Sequence, residues 1–376
     1  MAARSKSRSE VFKSAIRNMA STGQNDRGRS VSMSTLMGSF GTPTPTDPIM
    51  KVLKDVTYVL SVYCPPIIVI FGIIGNVLSF LLLGLPHYKH STSCVYMRAL
   101  SISDTLFLLG VSLERWLLVI IPDILAAPGV LQPFCLQYLF FTYFTSLLSS
   151  HLLIIMSADR LLALWIPLKA HLWCTPRRAK TVVVCLFLIA GGLNVVQFFR
   201  VVHPDYLTWL CPYHFQNGLN VVHDQIFSVV GIYIPVTLLF FINIAIIAIV
   251  RISSRLRTKF QDGRQQRSNT EGHITEMLLL VSFMFLSCMI PGRTRNFYWT
   301  YYDGPKTSMI NALRRFSLDF TLTIQFLNYA MNFYVYTLPI KKFRMDLKKM
   351  IFHPGESHTR KYTIGGVSSV AGQKRY

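Results

Sequence analysis

The stretch LSISDTLFLLGV, Leu100–Val111, sets a single acid, Asp104, inside an apolar run. A carboxylate at membrane depth costs about 3 kcal/mol or more, so it faces a polar interior and marks a functional site. The run is one of seven such stretches, which read as spans at 56–85, 94–121, 132–165, 179–200, 221–251, 273–299 and 311–338. Each is long enough for the roughly 20 apolar residues a helix needs to cross the hydrocarbon core. Five of the others also carry unusual residues at a particular depth: Asn76, Cys135 with Asp159 and Arg160, Pro235, Cys288 with Pro291, and Asn332 with Tyr336. The fold class expected is an all-α membrane protein, a seven-transmembrane helix bundle. Short loops leave no room for a soluble catalytic domain, and neither an HExxH nor a Gly-x-Ser-x-Gly motif occurs, so an enzyme is not expected.

Composition agrees. Of 376 residues, 51% are hydrophobic and 15% charged, with a mean hydropathy of +0.39, which suits a polytopic membrane protein better than two soluble domains. The net charge of +21 does not point to nucleic acid, because the basic residues sit at span ends and in the tails and no basic-aromatic module is present. Anionic lipid headgroups are the simpler partner. Lys and Arg favour one side of the bilayer: five in the second candidate inner loop, six in the third and nine after the seventh span, against seven in all the outer loops. That bias predicts an extracellular N-terminus and a cytoplasmic C-terminus. The domains expected are a disordered extracellular tail over 1–55, the seven-span body over 56–338, a membrane-surface helix over 339–352 and a cytoplasmic tail over 353–376. The tail is itself basic, and the first span is expected to act as an uncleaved signal.

Seven cysteines occur. Only Cys135 and Cys211 fall on the outer side, so they can pair there without a competitor and pin the loop WLCPYHF over the bundle mouth.

Spacing assigns faces. Arg160 lies 25 residues after Cys135, roughly 37 Å of helix, so the two mark opposite surfaces of one span. Thr142, Ser149 and Arg160 share a face that must look inward. In the sixth span Phe285, Met289 and Arg293 recur at i, i+4, i+8 beside the kinking Pro291. Glu271, about 30 Å further in, is placed to meet Arg160, with Asp159 as local partner; the alternative is a solvated charge. In the seventh span Asn328, Asn332 and Tyr336 form a polar stripe. With Asp104, Ser149 and Asn76 it makes a buried cluster able to hold water or Na⁺. After Tyr336, TLPIKKFRMDLKKMIF alternates apolar Ile340, Phe343, Leu347, Met350 and Ile351 with five basic residues, an amphipathic helix for the inner leaflet.

These motifs, in this order, resemble the rhodopsin-like (class A) family of G-protein-coupled receptors over about residues 56–352. They are GNV at 75–77, Asp104 in SISD, Cys135 and Cys211, Asp159 and Arg160 in SADRLLALWIPL, Pro235 in IYIPV, FLSCMIP at 285–291, NFYVY at 332–336 and KKFR at 341–344. The resemblance implies a plasma-membrane receptor that activates a heterotrimeric G protein through outward movement of the sixth helix, with arrestin as a further partner. It implies a sodium pocket at Asp104, Ser149, Asn328 and Asn332, a coupling motif at Asp159 and Arg160, and an ionic-lock acid at Glu271. Phe285, Met289, Pro291 and Tyr336 take the switch positions. The chain departs from the pattern at Leu161 (for Tyr), Met289 (for Trp), Asn243 (for Tyr) and Phe333 (for Pro). The last is expected to straighten the seventh helix near Asn332.

Thr142 stands where amine receptors carry an acid, and Phe326 where opsins carry their Schiff-base lysine, so the resemblance argues against both ligand types. The likeness within the family is to invertebrate neuropeptide receptors of the FMRFamide and myosuppressin group. The candidate ligand pocket is Glu114, Tyr138, Phe141, Thr142, Met289, Arg293, Arg314 and Asp319. Glu114 or Asp319 is expected to receive a ligand cation, and Arg293 or Arg314 a carboxylate or amide oxygen. Two other classes stay open: an ion-coupled transporter, although no internal repeat is seen, and a receptor of this family for a non-peptide ligand.

Overall fold

Prolines shape the first span. A computed structural model of the chain describes residues 48–86, 88, 91–121, 129–199, 201–202, 213–214, 226–259, 265–305, 307–337 and 341–352. Helix α1 (Pro48–Val62) begins inside the stretch read as tail, opens on a proline, and ends at Tyr63, where α2 (Cys64–Leu82) takes over. Pro65 and Pro66 supply no N–H to the ladder, which is therefore cut at that point.

The second span is α3 (Thr92–Phe107), a π-helical turn at Leu108–Leu113, and α4 (Glu114–Ile120). The third is one unbroken helix, α5 (Leu131–Trp165), followed by the short α6 (Pro167–Trp173). The fourth is α7 (Pro176–Asn194) with a 3-10 end at Val195–Phe199. A second π-turn at Val229–Tyr233 leads into α8 (Ile234–Lys259), and the sixth span is α9 (Gln265–Tyr301), which runs through Pro291. Between the fourth and fifth spans, Val201–Val202 (β1) pairs antiparallel with Tyr213–His214 (β2).

Six of the described helical stretches are long and apolar enough to cross a membrane. The seventh, α10 (Ser308–Ala330), carries Arg314, Arg315 and Asp319 near its outer end, which lowers its hydropathy without shortening it. All seven are expected by position. The central helix is α5, which packs on the second, fourth, fifth and sixth spans. Its buried face includes Leu147, Leu148, Leu152 and Met156. The first and seventh spans lie close because Gly72 has no side chain: a Cβ there would sit 2.8 Å from that of Ala330.

The expectation for Phe333 is overturned. With phenylalanine in place of the family proline, the seventh helix still stops at Ala330, bends at Met331 and resumes as α11 (Asn332–Thr337). No proline or glycine stands between Leu327 and Thr337 to account for the bend.

The amphipathic helix is α12 (Lys341–Phe352). Phe343 is buried and stacks on Tyr88 at 5.2 Å, while the Tyr88 hydroxyl donates to Asp346 Oδ2 at 2.8 Å. Burial, and then the carboxylate beside it, push the Tyr88 phenol up, so it stays a donor. Lys341, Arg344, Lys348 and Lys349 are exposed.

Candidate functional site

Three polar layers occupy the bundle, at the middle, the inner end and the outer mouth. In the middle, Asp104 is 1% exposed, and desolvation on that scale is tolerable only with donors in place. Asn332 Nδ2 donates to its Oδ2 at 2.6 Å and Ser149 Oγ to its Oδ1 at 3.2 Å. Ser103, which the spacing argument missed, lies 2.8 Å from the Ser149 hydroxyl. As the neighbour of Asp104 it should point elsewhere on the helix, and only the third span brings Ser149 between the two.

Asn76 and Asn328 do not touch Asp104. Asn76 Nδ2 donates instead to the Tyr329 carbonyl at 3.2 Å. Asn328 is buried on α10 with no hydrogen bond to the cluster. Below Asp104 lies a cavity of about 10 Å³, bordered by Asp104, Asn332, Ser101 and the apolar Met97, Met156 and Val281. That is room for about one water or small ion. The Oδ1 atoms of Asn76 and Asn332 are buried without a hydrogen-bond partner. A carboxylate, a hydroxyl and an orphaned amide oxygen around a water-sized space form an all-oxygen set that fits a hard cation.

At the inner end Asp159 and Arg160, expected as mutual partners, both turn to the start of α3. Thr92 Oγ1 donates to Asp159 Oδ2 at 2.6 Å, and Arg160 donates from Nε to Ser93 Oγ at 2.6 Å and from Nη2 to Ser91 Oγ at 3.4 Å. Short hydroxyl side chains at the first turn of the second span are nearer than the acid next in sequence, whose Cβ points about 100° away. The side chains of Glu271 and Tyr336 lie outside the described residues, and so does the contact expected of Glu271. Cys174, whose Sγ lies 3.8 Å from the Asp159 carbonyl oxygen, has its thiol pushed up to about 11, by burial and then by Asp159. It is held as an unreactive thiol.

The outer mouth sorts its charges. Asp319, 4% exposed, accepts from Arg115 Nη2 at 3.2 Å and from Arg315 Nε at 2.7 Å. It is therefore neutralised twice and is no longer an acceptor for a ligand cation, which corrects half of that expectation. The Arg315 to Asp319 spacing of i, i+4 was legible in the sequence; the reach of Arg115 across from α4 was not. Glu114 is also buried, at 6%. Gln137 Nε2 donates to its Oε1 at 2.7 Å, and its Oε2 has no partner among the described residues. Glu114 and Arg115 follow directly on the π-turn at Leu108–Leu113. One extra residue in that turn rotates both side chains relative to the helix below, a use typical of such bulges. Gly110 lets the turn form against α5, because a Cβ there would meet the Phe141 ring at 2.5 Å.

Arg293, one turn above the buried Met289, makes no hydrogen bond or ion pair with a described residue, and its electrostatic neighbours are the phenols of Tyr329, Tyr233 and Tyr143. Arg314 is exposed, with its guanidinium 5.9 Å from the centre of the Trp299 ring. Thr142 spends its hydroxyl on the Tyr138 carbonyl at 2.7 Å. Tyr138 is buried and Phe141 half-buried. Phe285 is buried below Met289, and Pro291 is half-buried. Cys135, at the outer end of α5, is disulfide-bonded; Cys211, its expected partner, lies outside the described residues.

Residues 75–336 match the family described as 7 transmembrane receptor (rhodopsin family). The chain is 31% identical to the FMRFamide peptide receptor frpr-18 of Caenorhabditis elegans over 140 residues, which cover 36% of this chain and 32% of that receptor. It is 26% identical to galanin receptor 2b of Danio rerio over 306 residues, covering 76% and 72% of the two chains. With somatostatin receptor type 5 of Rattus norvegicus it shares 24% identity over 292 residues, covering 74% of each.

The two mouth acids are separable by stability. Asp319→Asn leaves Arg115 and Arg315 without their counter-ion and is expected to cost on the order of 3 kcal/mol, read as a lowered melting temperature in detergent. Glu114→Gln keeps the Gln137 contact and is expected to melt close to the parent chain.

Proposed function

This chain belongs to the rhodopsin family of seven-transmembrane receptors, and from that premise we propose that it is a plasma-membrane receptor for an extracellular peptide, signalling through a heterotrimeric G protein. Membership removes the enzyme and transporter readings. The observation that carries the peptide reading is a pair of charges in the mouth that are uncommitted among the described residues, Glu114 through its Oε2 and Arg293. Groups of opposite sign on different helices suit an elongated ligand with both a cation and a carboxylate or amide oxygen, since each gains most from a partner in a desolvated site. The names of the relatives, receptors for FMRFamide, galanin and somatostatin, agree with a peptide.

On this reading the N-terminus is outside. Ligand binding favours a population in which the inner end of α9 moves outward and Arg160 leaves Ser93 and Ser91 for the G protein. Arrestin is a second cytoplasmic partner, and α12 lies on anionic lipid. Asp104, Asn332 and Ser101 border the space that holds Na⁺ in the resting state, with Ser149 donating to the carboxylate, and the ion neutralises the buried carboxylate. NaCl is expected to raise the melting temperature relative to choline chloride, and Asp104→Asn to erase the difference. An equal effect of both salts on the parent chain would remove the ion.

Cells expressing the chain with a promiscuous G protein, challenged with FMRFamide, galanin, somatostatin and a panel of amidated peptides, are expected to give a saturable calcium signal. Arg160→Ala should abolish it, and Glu114→Gln should shift potency by about 30-fold or more at equal surface expression. Silence toward every peptide at confirmed surface expression would favour a non-peptide ligand, and an unshifted curve would take Glu114 out of the site.

A further inference from the structure

The seventh helix breaks at Met331 although the segment Leu327–Thr337 contains neither proline nor glycine. The Met331 N–H still bonds to the Leu327 carbonyl at 2.9 Å, and the Val335 N–H to the Met331 carbonyl at 3.0 Å, so regular helix reaches the bend from both sides. Sharp kinks have few causes, and without proline, glycine or a π-turn here the cause is a side chain or a water entering the backbone ladder; a side chain is in place to do so. Asn76 is that side chain. Its Nδ2 lies 3.2 Å from the Tyr329 carbonyl oxygen, which in an uninterrupted α-helix takes the N–H of residue 333.

Two further contacts hold the lower segment in its displaced position. Asn332 Nδ2 reaches Asp104 at 2.6 Å, and the Tyr334 hydroxyl donates to the Phe71 carbonyl at 3.0 Å. Gly75, beside Asn76, admits them: a Cβ there would lie 3.1 Å from the Tyr334 ring and 3.2 Å from Phe333 Cβ. All of these anchors stand on the first and second spans, and none is a covalent constraint within the seventh helix.

We infer that Asn76 is the positioning residue that keeps α10 and α11 apart, so that the seventh helix is a reversible joint able to close into one continuous helix when the Asn76 bond is released. A proline at 333 makes such a break permanent, because the ring removes the N–H that closure needs. Phenylalanine retains that N–H, and the break depends on Asn76. The joint is independent of the ligand and of the G protein.

A four-member melting series tests it: the parent chain, Asn76→Ala, Phe333→Pro and the double variant. Asn76→Ala is expected to lower the melting temperature by several degrees, because closure pulls Asn332 from Asp104 and Tyr334 from Phe71. Phe333→Pro alone removes a buried ring and is expected to lower it on its own account, and the double variant to fall by clearly less than the sum of the two losses. Additive or worse behaviour would overturn the proposal and leave Asn76 as interhelical glue. Should the proline variant not reach the surface, a backbone ester at residue 333, introduced as the α-hydroxy acid, deletes only the N–H. It is expected to rescue Asn76→Ala in the same way, and no rescue by the ester would overturn the proposal equally.

Discussion

A carboxylate buried among membrane-spanning helices must find its donors on other helices, and Asp104 finds them on two. Asn332 and Ser149 satisfy one oxygen each, which fixes the second span against the third and the seventh at one depth. The rest of the middle layer is arranged around that demand. Ser103 joins through Ser149, a water-sized space lies below the carboxylate, and α11 takes the displaced path that brings Asn332 within reach. A bundle of apolar helices in lipid has little hydrophobic drive toward one particular packing. Polar contacts of this kind therefore select the arrangement, and close approach at Gly72 and Gly110 makes it dense.

The same logic separates the two ends. Inside, Asp159 and Arg160 are satisfied by hydroxyls of Thr92, Ser93 and Ser91, neutral partners that a more strongly competing group can displace. A resting contact made of neutral hydroxyls suits a residue whose proposed task is to change partner. Outside, Asp319 between Arg115 and Arg315 ties the second span to the seventh, whereas Glu114 and Arg293 keep unspent charge among the described residues. The first set is structural, and the second is the one proposed to meet the ligand.

Seven spans, their order, the depth of Asp104 and the single face of α5 were legible because each follows from hydropathy or from the 3.6-residue period. The contact of Asp104 with Ser149 and Asn332 was legible for the same reason. What escaped depends on tertiary placement. Two π-turns leave the hydrophobic pattern almost unchanged, yet the first one sets where Glu114 and Arg115 point. The break at Met331 escaped because the residue responsible, Asn76, lies 253 positions away from the carbonyl it binds. The preference of Arg160 for serines over Asp159 escaped because adjacency in a helix is not proximity of side chains. The first helix began earlier than its composition suggested, since Pro48 opens it ahead of the apolar run.

The central claim is that the pairing of Asp104 with Asn332 organises the bundle, and exchanging the two groups tests it most directly. Asp104→Asn, Asn332→Asp and the double exchange would be compared by thermal unfolding in detergent. The account predicts that each single change lowers stability and that the exchanged pair recovers most of the loss, with a coupling of about 1 kcal/mol or more. Simple additivity of the two losses would mean that the residues are neighbours without being partners, and would contradict the account.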